Sequence, residues 1–287
     1  MAIDYQKLKN WHFPEIEHSY RAQDTILYAL GLGFGADPMD RNQLQFVYEE
    51  SLQALPTMAV VLGSRGSVTR DPASGIDWKQ VLHGEQGLTI HQPLPATGTV
   101  IGRGFIDEIV DKGAGKGALL YSRRELRDKE TGALLATLTS TSFCRGDGGF
   151  GGPSGPTRPV HRLPERAPDL VADIPTLPQA ALIYRLSGDY NPLHADPEVA
   201  KVAGFDRPIL HGLCSFGVAG HALLRMLCDY DPRRLKRMDV RFSSPVFPGE
   251  TIRTKIWREE AGRIGFRCRV LGRDVVAINN GLAEIAA

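Results

Sequence analysis

PLPATGTV at residues 93–100 and PVFPGETI at residues 245–252 each open with Pro and an aliphatic residue, and each reaches Thr followed by a β-branched residue six positions later. From 93 to 245 the offset is 152, close to half of a 287-residue chain. Pro-rich turns ahead of strands can look alike by chance. Self-similarity at this spacing points instead to duplication of a whole domain. After the second turn, Ile252, Thr254 and Ile256 alternate with Arg253, Lys255 and Trp257, the period of a half-buried strand. GFRCRVL (265–271) and DVVAINNGLAEI (274–285) are further strand candidates. In the first half, GALLYSRRELRD (117–128) and ALLATLTSTSF (133–143) flank Glu130-Thr131-Gly132, a hairpin turn. Each half therefore ends in a run of antiparallel strands.

Each half also carries a helical candidate ahead of those strands. GLCSFGVAGHALLRMLC (212–228) puts Leu213, Phe216, Gly217, Gly220, Leu224 and Leu227 on one stripe. Its two glycines cost about 1 kcal/mol each in propensity, so burial must stabilise the helix, and the small residues would let a sheet approach closely. In ESLQALPTMAVVL (50–62), Pro56 interrupts the helical pattern and predicts a short or broken helix. The fold class expected is α+β, with antiparallel sheets each wrapping a central helix. GDGGFGGPSGPTRP (146–159) and the Pro-rich stretch up to 178 read as a linker between unit 1–145 and unit 179–287.

Hydrophobic residues make up 42% of the chain, enough for one large core or two medium ones, and 34 basic against 33 acidic residues leave a net charge of +1. Basic residues concentrate only at Arg233-Arg234-Leu235-Lys236-Arg237, which argues against nucleic-acid binding. Cys144, Cys214, Cys228 and Cys268 form no C-x-x-C pair and no Cys/His cluster, so no metal site is expected. Cys214 and Cys228 read as small core residues. MAIDYQKLKNW has no apolar leader core, no 18-residue apolar run occurs, and the final Ile285-Ala286-Ala287 is not a peroxisomal address. The expectation is a soluble protein of a reducing cytoplasm, without a membrane partner. Gly31-Leu32-Gly33-Phe34-Gly35 suggests a nucleotide loop, but it lacks the third glycine, and Asp37-Pro38 stands where a helix should begin.

The chemistry concentrates in GDYNPLH (188–194), where Asp189, Asn191 and His194 surround Pro192. Pro disfavours helix for the preceding residue, so the stretch is a turn that can fold Asp and His toward one point. Asx-turns with a satisfied buried histidine would explain the same residues. GFDRPILHGL (204–213) then delivers His211-Gly212 to the start of the apolar helix. Free N–H groups and the positive end of the helix dipole there suit a developing oxyanion.

YRLSGDYNPLHADPEVAKVAGFDRPILHGLCSFG (184–217) resembles the signature of the MaoC-like hydratase 2 family, the (R)-specific enoyl-CoA hydratases that include the hydratase domain of the peroxisomal multifunctional enzyme. LHGEQ (82–86), DKG (111–113), GDGGFGG (146–152) and RFSSPVFPGET (241–251) are similar to other segments of that family. The resemblance implies a double hot-dog fold and reversible hydration of trans-2-enoyl-CoA to (3R)-3-hydroxyacyl-CoA without a cofactor. It implies that Asp189 and His194 are the acid–base pair, with Asn191 beside them, and that the Gly212 N–H polarises the thioester carbonyl. It implies acyl-CoA contacts at His83, Gly84, Lys112 and Phe242, and at Tyr190, Pro192 and Leu193 of the turn. It also implies a homodimer. Lys112 reads equally as an exposed turn lysine, Phe242 as a core strand residue and His83 as structural. Tyr190 stands where relatives commonly carry Trp, a change of packing. The first half has no counterpart of GDYNPLH: Asp24-Thr25-Ile26-Leu27 is nearest in position and no His follows it closely, so catalysis is expected in the second unit. A hot-dog thioesterase and a non-catalytic acyl-CoA binding module are the alternatives.

Overall fold

The structure is a computed structural model that describes residues 3–64 and 66–287. In chain order the first half holds α1 (Tyr5–Lys9), β1 (Ile16–Tyr20), α2 (Ala22–Gly31), α3 (Arg41–Val47), β2 (Val81–Ile90), β3 (Gly98–Asp111), β4 (Ala118–Asp128) and β5 (Leu134–Cys144). The second half holds β6 (Leu170–Pro175), α4 (Ala180–Tyr184), α5 (Pro197–Val202), α6 (Gly212–Leu227), β7 (Leu235–Phe242), β8 (Thr251–Arg258), β9 (Arg263–Val270) and β10 (Val275–Ile285).

The ten strands form one antiparallel sheet in the order β1-β3-β4-β5-β2-β7-β10-β9-β8-β6. Each half follows the same path from its outer edge inward. Under that equivalence β3 matches β8, and these are the strands that PLPATGTV and PVFPGETI enter. The internal repeat is thus a repeat of strand position. The two sheets expected are joined edge to edge: β2 pairs with β7, Glu85 lies opposite Arg241, and the Arg241 Nη2 donates to Glu85 Oε1 at 2.6 Å.

Helix α6 is the centre of the second half. Cys214 through Leu224 are buried on every side, not along one stripe, as suits a helix enclosed by protein. Its glycines admit the first half rather than the sheet. A Cβ on Gly217 would lie 2.6 Å from Leu32, and one on Gly220 2.6 Å from Thr57. In the first half a buried 3-10 turn, Pro56–Val61, takes the place of a central helix. Pro56 starts it, and the Arg124 Nη2 donates to Val60 O at its far end at 2.7 Å.

The connection is shorter than the 146–178 span read from sequence. Leu170–Pro175 pair with β8 as an edge strand, with Ala172 and Ile174 buried and Val171, Asp173 and Pro175 exposed. An edge position tolerates the proline. The second structural half therefore begins before residue 179. The irregular part crosses the sheet's outer face: the Trp257 Nε1 donates to Arg166 O at 2.8 Å, and Asn280 Nδ2 to His161 O at 2.8 Å. Trp257 is consequently buried, although the alternation of β8 put it outward.

The glycines at 31–35 begin in the last residue of helix α2 and run on from its C-terminal end, whereas a nucleotide loop would lie between a strand and a helix. The arginines of the basic run are partnered locally. Arg233 pairs with Asp231, Arg237 with Asp239 and Glu284, and the Arg234 Nε donates to Ala286 O. The four cysteines are free and buried. Among the described residues no helix is long and apolar enough to cross a membrane.

Candidate active site

The turn Gly188–His194 follows α4 and ends at a 3-10 turn, Pro192–His194. Gly188 adopts φ +113, a left-handed conformation that reverses the chain there. Two Asx-type bonds then tighten the turn. Asp189 Oδ1 accepts from the Asn191 N–H at 3.2 Å, and Asn191 Oδ1 accepts from the Leu193 N–H at 3.2 Å. The modest reading of these residues as turn formers therefore holds, and it coexists with a functional one. With its oxygen engaged, the Asn191 amide still has its NH2 group to offer.

The turn brings Asp189 and His194 together. A carboxylate oxygen of Asp189 and one ring nitrogen each of His194 and His211 lie within 4.8 Å of one another. Asp189 is exposed, His194 is 8% exposed and His211 only 1%. His194 Nδ1 lies 2.9 Å from Ile209 O. A carbonyl only accepts, so Nδ1 carries the hydrogen and Nε2 of the neutral ring keeps its lone pair. Burial lowers the His194 pKa from its ordinary value, and Arg70 acts in the same sense. The Ile209 carbonyl and the Asp189 charge oppose both. A neutral imidazole with a free Nε2 beside a carboxylate is a proton-handling pair.

The three donor atoms could also suggest a metal. The His194 and His211 rings are stacked, with centroids 3.7 Å apart and planes 29° apart. Imidazole lone pairs lie in the ring plane, so stacked rings aim theirs side by side rather than at one ion.

Gly212, the next residue, opens α6, with His211 as N-cap. An α-helix supplies no internal acceptor for the N–H of its first residue, so this donor is available to a ligand. Phe242, at the end of β7, closes over it, its Cε1 3.4 Å from where a Gly212 Cβ would stand. The His83 ring lies 4.9 Å from the Phe242 ring, and the His83 Nε2 donates to Glu85 O at 3.1 Å. Gly84 sits in the bulge between β2 and β5, where a Cβ would meet Thr141 O at 3.2 Å. The structure thus gathers His83, Gly84, Phe242, Gly212, His194 and Asp189 around the β2–β7 seam.

The remaining expected residues lie further out. Tyr190 is exposed, with the Arg185 guanidinium 5.0 Å from its ring centre, and Pro192 is exposed at the start of its 3-10 turn. Lys112 is not part of this cluster. It follows β3, three strands from β2, roughly 14 Å at the usual ~4.8 Å strand spacing. There it lines a surface cavity of about 470 Å³ with Gly113, Lys116, Gly152, Ser154 and Thr157. Asp111 organises that cavity by accepting from the N–H groups of Gly113, Gly149 and Gly151 at 2.7–2.8 Å. His211 is a site residue that no motif announces, since the visible chemistry of GFDRPILHGL is the Gly212 N–H and the partners of His211 come from elsewhere in the chain.

A family model described as MaoC like domain matches residues 159–280, and one described as MFE-2 hydratase 2 N-terminal domain matches residues 18–146. The chain belongs to the MaoC-like hydratase 2 family. Within that family it is 43% identical to 3-hydroxyacyl-thioester dehydratase Y of Mycobacterium tuberculosis, over the whole of both chains. It is 41% identical to the peroxisomal enoyl-CoA hydratase 2 of Arabidopsis thaliana, over 86% of this chain and 84% of that one. Among solved structures, the MaoC-like dehydratase from Phytophthora capsici superposes with a TM-score of 0.86 at 39% identity, covering 98% of each chain. The fold is therefore the double hot-dog that the resemblance implied and that the internal repeat accords with, and residues 147–158 of the irregular connection separate the two matched regions.

Proposed function

We propose that this hydratase 2 protein catalyses the reversible hydration of trans-2-enoyl-CoA to (3R)-3-hydroxyacyl-CoA. The observation that carries the reading is the meeting of an Asp189 carboxylate oxygen and a His194 ring nitrogen within 4.8 Å, next to the open N-terminus of α6. The Arabidopsis relative is named an enoyl-CoA hydratase 2, which supports the same reading.

One water is held by the Asp189 carboxylate, the His194 Nε2 and the Asn191 amide. Its oxygen bonds to C3 as one of its protons passes to the acid–base pair. The C2=C3 electrons shift toward the thioester oxygen, where the Gly212 N–H meets the developing charge. A proton from the same pair then reaches C2, and the carbonyl re-forms. Water adds without oxidation or reduction. Lys112 and its cavity take the distant part of the CoA, with Tyr190, Pro192 and Leu193 bordering the entrance. The resemblance further supports a homodimer, and four free, buried cysteines accord with a reducing cytoplasm.

Loss of enoyl absorbance with chiral product analysis tests the proposal. Release of CoA thiol in its place would make the protein a thioesterase. Asp189→Asn should keep substrate binding and lose at least about 10²-fold in kcat. Unchanged turnover in that variant would refute the assignment of the pair.

A further inference from the structure

His211 has no part in the reaction described above, yet its ring is the most enclosed of the site. One face stacks on His194 at 3.7 Å between centroids. The Tyr184 ring lies 5.0 Å away at 46°. His211 Nε2 is 3.1 Å from the backbone oxygen of Asp189. Because that oxygen only accepts, Nε2 carries the hydrogen and Nδ1 is left bare. Nδ1 is indeed buried and without a partner. His194 is in turn tied to Ile209 O, two residues before His211. One ring thus touches both ends of the turn Asp189–His194.

We propose that His211 is the positioning residue of this site: it pins the Asp189 backbone through Nε2–H and braces the His194 imidazole by stacking, so that carboxylate and Nε2 face the same water. The proposal rests on the hydration reading. His211 acts through its neighbours and does not touch the reacting atoms.

The electrostatics favour the same assignment. Burial, then the charge of His194, lowers the His211 pKa to about 4, and Arg185 adds to this, while the Asp189 charge and carbonyl oppose it. Arg70 acts on His194 in the lowering sense. Burial raises the hydroxyl of Tyr184, which lies against the ring, and that of Tyr28, which packs on Tyr184, so both phenols stay neutral. Both rings of the stacked pair are therefore held toward the neutral form, and a neutral His211 with its hydrogen on Nε2 is the form that can donate to the Asp189 carbonyl.

Two substitutions separate the contacts. His211→Phe keeps a ring for stacking and loses the donor. His211→Gln keeps an N–H at similar reach and loses the ring. The expected result for His211→Phe is a kcat lower by about 10- to 100-fold, as for a misplaced catalytic group, with KM within about threefold. The acid limb of its kcat/KM profile should move up toward the ordinary histidine value as water reaches His194. His211→Gln should recover part of kcat. A loss that tracks the folded fraction with an unmoved pH profile would overturn the proposal, as would wild-type kcat in both variants. A wild-type protein inert toward every enoyl-CoA would overturn the hydration reading instead. Should His211→Phe fail to fold, imidazole NMR of the wild type decides the matter. The Nε2–H tautomer, neutral to about pH 4, is expected; an Nδ1–H tautomer or titration near pH 6.5 would refute the brace.

Discussion

Gly212 offers a way to weigh one backbone hydrogen. His211 has φ −57 and ψ 135, which suits a residue before proline, and proline is favoured at the first position of a helix. A Cβ there would meet Phe242 at 3.4 Å, an ordinary contact. Gly212→Pro should therefore fold normally while deleting the N–H. Steady-state kinetics should show kcat reduced about 10²- to 10³-fold, the usual worth of one oxyanion donor; a kcat within threefold of wild type would move the donor elsewhere. At this scale the sequence was informative where the chemistry is contiguous. Asp189, Asn191 and His194 fall within one turn, and proline and glycine mark that turn. His211 was opaque because its partners, the Asp189 carbonyl 22 residues back and the His194 ring, meet it only in space. The available signal was a histidine placed directly before a helix-opening glycine.

The glycine-rich segment after β5 shows what one carboxylate can organise at the level of an element. Burial would raise the pKa of Asp111, but the surrounding backbone N–H groups outweigh it and hold the carboxyl below its usual value. Asp111→Asn turns an NH2 toward those donors and should loosen the loop beside Lys112 and Lys116. The expected effect is a KM for enoyl-CoA higher by about tenfold, the worth of one charge-assisted hydrogen bond, with kcat nearly unchanged. Equal losses in kcat and KM would mean that the loop shapes the reacting site directly. Elements with a clean period were legible: Ile252, Thr254 and Ile256 point inward as read. Strand β6 was not, because Pro175 and the neighbouring prolines mask a short alternation that an edge position permits. Trp257 escaped its period because the connection folds over it, a contact between segments 91 residues apart. The missing helix of the first half was foreseeable from Pro56.

Across the whole molecule, stability should follow the buried histidines. His221 stacks on Phe34 at 3.7 Å, bonds Leu32 O through Nδ1 at 3.1 Å, and has its pKa lowered to about 4, chiefly by burial. His211 is lowered similarly and His194 in the same direction. Between pH 6.5 and 4 the unfolded chain binds protons that the native state refuses, so stability is full above 6.5 and falls as pH drops. Each histidine displaced that far contributes up to about 3 kcal/mol. Denaturant titrations at pH 7 and pH 4.5 should show the fall, and His221→Asn, which keeps a donor for Leu32 O, should make it smaller. An identical fall in that variant would locate the effect in other groups. The duplicated plan was readable from one eight-residue similarity, but the merging of both sheets was not, since the β2–β7 seam joins strands with no shared motif.

That seam has a consequence for incomplete chains. A product ending before Leu235 would leave Glu85–Thr89 of β2, the stretch that pairs with β7, with its backbone donors and acceptors open to any passing strand. Such a fragment would be adhesive rather than merely inert, capturing its own kind and the nascent strands of intact neighbours, so a late truncation would burden the cell more than deletion of the whole chain.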